Sequence, residues 1–381
     1  MIKNTKVFLF LFLLMTFANA QAVITPNPMP PEVNAKAYIL VDFNSGKVIA
    51  QKNADEKLPP ASITKLMTSY VVSHELKAGN VHMDDPVLIS EKAWRTGGSR
   101  TFLRVDTKVP LGVLMQGMIV QSGNDAATAL AEHIAGSEDT FVQMMNQYAQ
   151  QLGMTNTHYE NATGLPVPDH YTTARDIATL SAALIRDFPK HYEWYSEKEF
   201  TYNGISQHNR NKLLWRDNSV DGLKTGHTEA AGYCLAASAK RGDMRLISVV
   251  LGTRSDNARA QESQKLLNYG FRFFETHQLY PANTKITETK VWKGATRQLA
   301  LGLSKPLYVT VPRGQYKSLV ATTHVQQPVV APIKAGTQLG EVEIRLNNDL
   351  VAKEPLVALD TVNPGSWWRR ILDDILMMIW G

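Results

Sequence analysis

A serine stands three residues before a lysine where two prolines give way to a helical pattern, in "LPPASITKLMT" (58–68). Residues three apart lie on one face of a helix, so the Lys65 side chain can reach the Ser62 hydroxyl. A hydroxyl becomes a nucleophile when a base removes its proton, and a lysine with a lowered pKa can be that base. The helix start also supplies backbone N–H donors for a reacting carbonyl. The pair predicts acyl transfer, although roughly one Ser-x-x-Lys is expected by chance in such a chain.

A second motif, "QSGNDAA", places Ser122 and Asn124 in a polar break between two helical runs. A hydroxyl in that position can pass a proton between two lysines, and an amide can donate to one group while it accepts from another. The alternative is a helix cap with Asn124 or Asp125 at the N-cap. "SDN" at 255–257 has the same spacing and could be an ordinary loop.

The third motif is "LKTGH", on a predicted strand at the edge of a sheet. Lys224 and Thr225 present a positive charge and a hydroxyl to which a substrate carboxylate can bind. Gly226 lets a substrate backbone come close and pair as an added strand. Taken alone, Lys224 to His227 could equally form a β-turn with a solvated lysine.

Residues 1–20 have the features of a secretory signal peptide. Lys3 and Lys6 precede an apolar run over 7–17, and the segment ends on the small-x-small sequence of residues 18–20. The run is too short to span a bilayer, which favours cleavage before Gln21 over the alternative of an uncleaved anchor.

The C-terminal segment 364–381 is predicted to form an amphipathic helix. At about 100° per residue, the apolar residues of "SWWRRILDDILMMIWG" occupy one half of the helical wheel, except Met377 and Trp380. The arginines and aspartates occupy the other half. The helix is too short and too charged to span a membrane but can lie in its surface, where indole side chains prefer the headgroup level. The alternative is a terminal helix packed on the chain's own β domain.

Between these ends the pattern predicts two domains. "KAYILVDFNSGKVIAQKN" reads as a hairpin, residues 62–186 are mainly helical, and 222–254 return to a short strand and two longer ones. We therefore expect an α/β (α+β) catalytic domain over 33–281, with an antiparallel sheet flanked by helices. Short alternating strands separated by turn residues predict a small all-β domain over 282–362.

The composition narrows the functional classes further. The net charge of +5 is mildly basic and far from a nucleic-acid-binding profile, so we expect no nucleic-acid partner. The single cysteine, Cys234, excludes an internal disulfide and lies in an apolar run typical of a core residue. The ten histidines form no metal-binding spacing, and no Walker-type glycine loop is present, so we expect neither a metal nor a cofactor.

The order Ser-x-x-Lys, Ser-x-Asn, Lys-Thr-Gly matches the signature of the penicillin-recognising acyl-serine enzymes. Together with the two termini and the β domain, the chain resembles a low-molecular-mass penicillin-binding protein, and more narrowly a membrane-anchored periplasmic D-alanyl-D-alanine carboxypeptidase. The resemblance implies a β-lactamase-like catalytic domain that removes the terminal D-alanine from peptidoglycan pentapeptide stems and is acylated by β-lactams. It also implies a location at the outer face of the inner membrane. The motifs do not determine an oligomeric state.

The resemblance implies a role for each motif residue. Ser62 is expected to be the acylated nucleophile, Lys65 its base, and Ser122 and Asn124 the residues that move protons and hold the substrate amide. The remaining expected site residues bind the terminal carboxylate region or supply the oxyanion hole through backbone N–H groups, and they are Lys224, Thr225, Gly226, His227 and Arg259. Arg254 competes with Arg259 for the position near the carboxylate.

One residue departs from the family pattern. Relatives are expected to carry a histidine before the Gly-Leu of the loop 157–176, where this chain has Thr163. Whether this loop tunes deacylation as in the family is therefore open.

Three other functions stay open. A transpeptidase or endopeptidase would use the same serine, because these motifs do not determine whether water or an amine accepts the acyl group. A β-lactamase shares the motifs, but Glu160 lacks the Glu-x-x-x-Asn spacing associated with class A deacylation. A non-catalytic cell-wall scaffold would need neither Ser62 nor Lys65.

Overall fold

The computed structural model describes residues 28–380, so the signal peptide predicted over 1–20 lies outside the described residues. The strands are, in chain order, β1 (Ala37–Asp42), β2 (Val48–Lys52), β3 (Pro86–Leu88), β4 (Lys108–Pro110), β5 (Glu199–Tyr202), β6 (Ile205–His208), β7 (Val220–Thr228), β8 (Gly232–Arg241), β9 (Met244–Thr253), β10 (Phe274–Tyr280), β11 (Thr287–Trp292), β12 (Gln298–Gly302), β13 (Leu307–Pro312), β14 (Leu319–Val325), β15 (Val329–Val330), β16 (Gln338–Leu346) and β17 (Asp349–Ala358).

The helices follow the same chain order. They are α1 (Lys65–Ala78), α2 (Glu91–Arg95), α3 (Leu111–Gln116), α4 (Asn124–Ala135), α5 (Glu138–Gln151), α6 (Ala174–Asp187), α7 (Pro189–Tyr192), α8 (Leu213–Arg216), α9 (Asp256–Phe273) and α10 (Trp367–Trp380). Short 3-10 turns cover Ala61–Thr64, Glu193–Ser196 and Tyr316–Ser318, and a π-helical segment covers Gly117–Gln121.

The N-terminal part is built on a five-stranded antiparallel sheet in the order β2-β1-β9-β8-β7. The predicted hairpin is present as β1 and β2. β7 is longer than the predicted short strand: it has nine residues, because its whole length pairs with β8. Since β7 stands at the end of this order, one of its edges is open to the cavity described below.

Alternating residues of the central strands pack on opposite faces of the sheet. Cys234 and Ala236 of β8 belong to the core shared with α1, α4 and α6, whereas Leu235 and Ala237 belong to the core under α9. This period of two is what a strand buried on both faces requires. Helices therefore cover both faces of the sheet, as predicted, with α1, α4 and α6 on one face and α9 on the other.

The predicted helical region 62–186 contains α1 to α6, interrupted by the small β3–β4 pair. The long loop 157–176 is irregular as predicted until α6 begins at Ala174, capped by the Thr173 hydroxyl. The Thr173 cap explains why the helix begins at this point.

The C-terminal part is an all-β unit followed by a helix, as predicted. Its main sheet has six strands in the order β14-β16-β17-β12-β11-β15, around an aliphatic core that includes Val342 and Ile344. β10, which ends at Tyr280, pairs with β13. The boundaries 33–281, 282–362 and 364–381 stay predictions. Among the described residues, no helix combines the length and the apolarity needed to cross a membrane.

Candidate active site

The turn that carries the serine and lysine begins the first long helix. Ser62 lies in the 3-10 turn and Lys65 is the first residue of α1, so the two side chains share one face. Lys65 Nζ lies 3.1 Å from Ser62 Oγ, and the lysine is 1% exposed. The structure thus brings the predicted nucleophile and base into hydrogen-bond contact.

The Lys65 nitrogen has two further partners that can only accept hydrogen bonds from it. Asn124 Oδ1 lies at 2.6 Å and the carbonyl oxygen of Thr163 at 2.5 Å. A neutral amine has two N–H groups and one lone pair. When the two oxygens take both N–H groups, the lone pair points to Ser62 Oγ and can receive its proton.

Asn124 is held in the orientation that this arrangement needs. Its side-chain Nδ2 donates to the carbonyl of Gly97 at 2.6 Å, which leaves Oδ1 facing Lys65, and its backbone N donates to Ser99 at 2.7 Å. Gly98 allows the close approach, because a Cβ there would lie 2.7 Å from Asn124 Nδ2. Both ends of the amide are therefore occupied before any substrate amide is present.

Ser122 precedes α4 in a strained backbone conformation. Its φ is +69°, in the left-handed region that non-glycine residues rarely adopt. Its hydroxyl is buried, faces the cavity and has no hydrogen-bond partner among the described residues. Such an unsatisfied hydroxyl is available to a substrate group, which fits the predicted proton relay.

The loop 157–176 contacts Lys65 through its backbone. The Thr163 side chain turns away and donates to Asn161 Oδ1 at 2.9 Å, so the residue that replaces the expected histidine reaches Lys65 only by its carbonyl. The next residue, Gly164, has φ +85° and packs so tightly on the serine turn that a Cβ would lie 1.8 Å from the Ala61 carbonyl oxygen. The loop therefore supports the serine turn directly.

The third motif lies on β7, opposite the serine turn. Thr225, Gly226 and His227 line the cavity with Ser62, and a Cβ on Gly226 would lie 3.0 Å from the carbonyl oxygen of Pro60. The imidazole of His227 stacks on Tyr233, with ring centroids 3.9 Å apart. The His227 ring is thus held by Tyr233, and Thr225 and the backbone of β7 are the parts of the motif that can meet a substrate.

Two arginines line the same cavity, and only one was predicted. Arg259 donates to the Gly226 carbonyl at 3.1 Å and pairs with Asp256. Arg210 donates to no group within the part of the chain that the structure describes. The competing candidate Arg254 is exposed and is not among the cavity residues.

Burial and neighbouring cations change the protonation of both motif lysines. Burial, and then the Arg210 charge, lower the pKa of Lys65 to about 7, while the Asp125 carboxylate acts in the opposite direction. Burial, and then Lys65 itself, lower the pKa of Lys224 well below that of an ordinary lysine. A base with a pKa near neutrality is suited to removing a serine proton at physiological pH.

The cavity between these elements has a volume of about 600 Å³. Its walls combine hydroxyls, three cationic side chains and the aromatic ring of Tyr233, which suits a peptide that ends in a carboxylate. The lining residues are Ser62, Ser99, Ser122, His208, Asn209, Arg210, Lys212, Thr225, Gly226, His227, Tyr233, Asp256 and Arg259.

Three residues around the site were missed from the sequence. Arg210 lies in "QHNRNK", where no spacing rule connects it to the motifs. Ser99 contributes a backbone carbonyl that only the fold places beside Asn124. His170 accepts at Nδ1 from the backbone N of Glu160 and reaches Thr64 Oγ1 at 2.9 Å, and burial lowers its pKa to about 4. A neutral histidine thus joins the long loop to the serine turn.

Comparison with known proteins identifies the family. The sequence model of the family described as D-alanyl-D-alanine carboxypeptidase (peptidase S11) matches residues 24–255, more than half of the chain. The chain belongs to this carboxypeptidase family. A second model, described as the C-terminal domain of penicillin-binding protein 5, matches residues 274–364. Within the described residues, no three His, Cys, Asp or Glu side chains gather as a metal site.

The relatives agree with this assignment over nearly the whole chain. The D-alanyl-D-alanine carboxypeptidase DacC of Escherichia coli (strain K12) is 47% identical over 97% of this chain and 93% of its own length. DacA of the same organism is 44% identical over 96% of this chain and 93% of its own. The crystal structure of penicillin-binding protein 5 from Haemophilus influenzae superposes with a TM-score of 0.86 at 43% identity, covering 88% of this chain and 99% of that one.

Proposed function

We propose that the protein is a serine-type D-Ala-D-Ala carboxypeptidase that removes the terminal D-alanine from peptidoglycan pentapeptide stems. The observation that carries this proposal is the geometry at Lys65, whose two oxygen acceptors direct its lone pair to Ser62 Oγ. The family membership supports the same activity.

In the acylation step, Ser62 Oγ attacks the carbonyl carbon of the penultimate D-alanine and its proton passes to Lys65. The backbone N–H groups of Ser62 and His227 stabilise the oxyanion. Collapse of this intermediate breaks the peptide bond, and the leaving amine of D-alanine receives, through the Ser122 hydroxyl, the proton that Lys65 had taken, so Lys65 is neutral again. The ester on Ser62 remains.

In the second step, water attacks this ester, loses a proton to Lys65 and releases the shortened stem. The D-alanine carboxylate lies during acylation near Thr225 and Arg259, which both line the cavity. A β-lactam takes the place of the peptide in acylation, and its ring-opened ester stays on Ser62.

The test is D-alanine release from a peptide ending in D-Ala-D-Ala, measured for the mature protein and for Ser62→Ala. We expect release to disappear in Ser62→Ala and to persist in the control Ser318→Ala, a serine of the β domain. The covalent mass increase after reaction with a penicillin should likewise be absent in Ser62→Ala and present in Ser318→Ala. Release that persists in Ser62→Ala, with unchanged circular dichroism, would contradict the serine mechanism.

We propose further that the enzyme acts in the periplasm and is held by α10 at the outer face of the inner membrane. The apolar side chains of α10 are exposed, with Trp368 at 67% and Met378 at 86%. Exposed tryptophan and aliphatic side chains on one helix face favour insertion among lipid headgroups. Deletion of 366–381 should release the mature protein from membranes while D-alanine release in solution continues. An unchanged membrane fraction would refute the anchor.

A further inference from the structure

The chain that enters α10 is hydrogen-bonded to the β domain and is not a free linker. The Ala295 N–H donates to the carbonyl of Asn363 at 2.8 Å, and the Gly365 N–H donates to the carbonyl of Lys293 at 2.8 Å. The two segments lie so close that a Cβ on Gly365 would be 2.7 Å from the Gly294 carbonyl oxygen. The turn after β11 therefore holds the segment before the helix in place.

The polar face of α10 packs on the same turn. Asp373 Oδ2 accepts from the backbone N of Lys293 at 2.5 Å, and Asp374 forms an ion pair with the Lys293 ammonium. Arg369 Nη1 donates to the Ala295 carbonyl at 3.1 Å, one turn earlier on the helix. Three polar side chains of α10 thus contact one turn, which leaves its apolar face outward.

These contacts explain an unusual feature of the helix. Helices that lie on membranes carry mainly Lys and Arg on their polar faces, because bacterial and other anionic lipid surfaces repel carboxylates. α10 carries Asp373 and Asp374 there. Their contacts with Lys293 give both carboxylates a role that membrane binding alone does not.

We propose that Asp373 and Asp374 fix α10 on the turn 293–295, so that the membrane-bound enzyme keeps its β domain in one orientation to the lipid surface. The contact surface is the polar face of α10, and the outward apolar face is the one that meets lipid. This inference rests on the proposed membrane anchor and adds to it a rigid attachment instead of a flexible tether. The catalytic cavity would then stand at a fixed height and angle above the membrane.

The test measures the distance between spin labels on the β domain and on the helix. Labels at Thr322→Cys and Met378→Cys lie on exposed positions, and Cys234 is fully buried and will not react. The mature protein is measured in solution and bound to vesicles of phosphatidylethanolamine and phosphatidylglycerol. The variant is Asp373→Ala with Asp374→Ala, since alanine keeps the helix.

The matched control is Arg370→Ala, which removes a charge from the same polar face. Its side chain has no hydrogen bond or ion pair among the described residues. We expect one narrow distance distribution for the parent and for R370A. The double aspartate variant should sediment with vesicles like the parent, but its distribution should widen about twofold or more, as a flexible attachment samples many distances.

A broad distribution in the parent, or a narrow one in the double variant, would overturn the proposal. If no form binds vesicles, the membrane anchor is refuted, and the distances in solution still decide whether the helix is fixed. In solution, a narrow distance distribution for the parent and a broad one for the double aspartate variant support the attachment of α10 to the turn, whether or not the protein binds membranes. Failure of the membrane anchor and failure of the rigid attachment are therefore distinguishable.

Discussion

The pH dependence of Ser62 acylation follows from the environment of Lys65. Its pKa is lowered from 10.5 to about 7, first by burial and then by the Arg210 charge. At about 1.4 kcal/mol per pKa unit, the site disfavours the ammonium form by roughly 5 kcal/mol. About half of Lys65 is then neutral at pH 7, against roughly one molecule in 3,000 for an ordinary lysine. Acylation should rise as the pH passes through about 7 and then level off.

Arg210 allows the electrostatic part of this reasoning to be tested separately. Arg210→Gln removes a cation that destabilises the Lys65 ammonium, so the pKa of Lys65 and the midpoint of the pH profile should move upward. The matched control Arg210→Lys keeps the charge and should leave the midpoint unchanged. Asp125→Asn removes the carboxylate that raises the pKa of Lys65, so its midpoint should move downward.

The assay is the rate of covalent labelling by a fluorescent penicillin at a series of pH values, with thermal unfolding as the check on folding. Lys65→Arg, which cannot deprotonate, should label at least about 100-fold more slowly. The reasoning is refuted if Arg210→Gln and Arg210→Lys share one midpoint, or if the parent's midpoint lies near the pKa of an ordinary lysine.

Three further predictions follow from the packing. Gly164→Ala should destabilise the fold by about 2–4 kcal/mol in thermal unfolding, because its Cβ would overlap the neighbouring carbonyl. Gly153 also has a positive φ (+76°) but has open space around it, so Gly153→Ala should lower the free energy of unfolding by only about 1 kcal/mol. Equal losses in Gly153→Ala and Gly164→Ala would exclude the contact of residue 164 with the Ala61 carbonyl as the cause. Arg259→Lys should raise the KM for the peptide more than it lowers kcat, since lysine cannot keep both contacts of the guanidinium; a pure kcat loss would contradict a binding role. Asp42→Ala should lower the melting temperature, because its buried carboxylate accepts from Thr276 of β10 at 2.7 Å; an unchanged melting temperature would exclude this contact as a source of stability.

The alternating pattern of the central strands shows how far the fold could be predicted. Hairpin and strand signals around 44–46 and 241–243 are local, because period-two alternation and turn residues act over a few positions. The sheet face that α9 covers was not predicted. The packing of α9 against β8 and β9 joins residues of similar apolarity, and the sequence does not say which sheet face receives which helix.

The contact between the serine and the lysine was predictable from the sequence. Ser62 and Lys65 meet because residues three positions apart along a helical segment share a face, and the two prolines mark where that segment begins. The amphipathic halves of α10 are likewise written in the order of its residues. These features depend on spacing along one element, which is why they were predictable.

The groups that set the protonation of Lys65 come from distant parts of the chain. The Thr163 carbonyl and the Arg210 charge reach Lys65 from segments about 100 and 145 residues away, and no motif marks either contact. A carbonyl is present at every residue and a surface arginine is common, so neither carries a sequence signal. The direction of the Lys65 lone pair and its protonation at neutral pH arise only when the fold brings these groups into one buried space, where water no longer screens them.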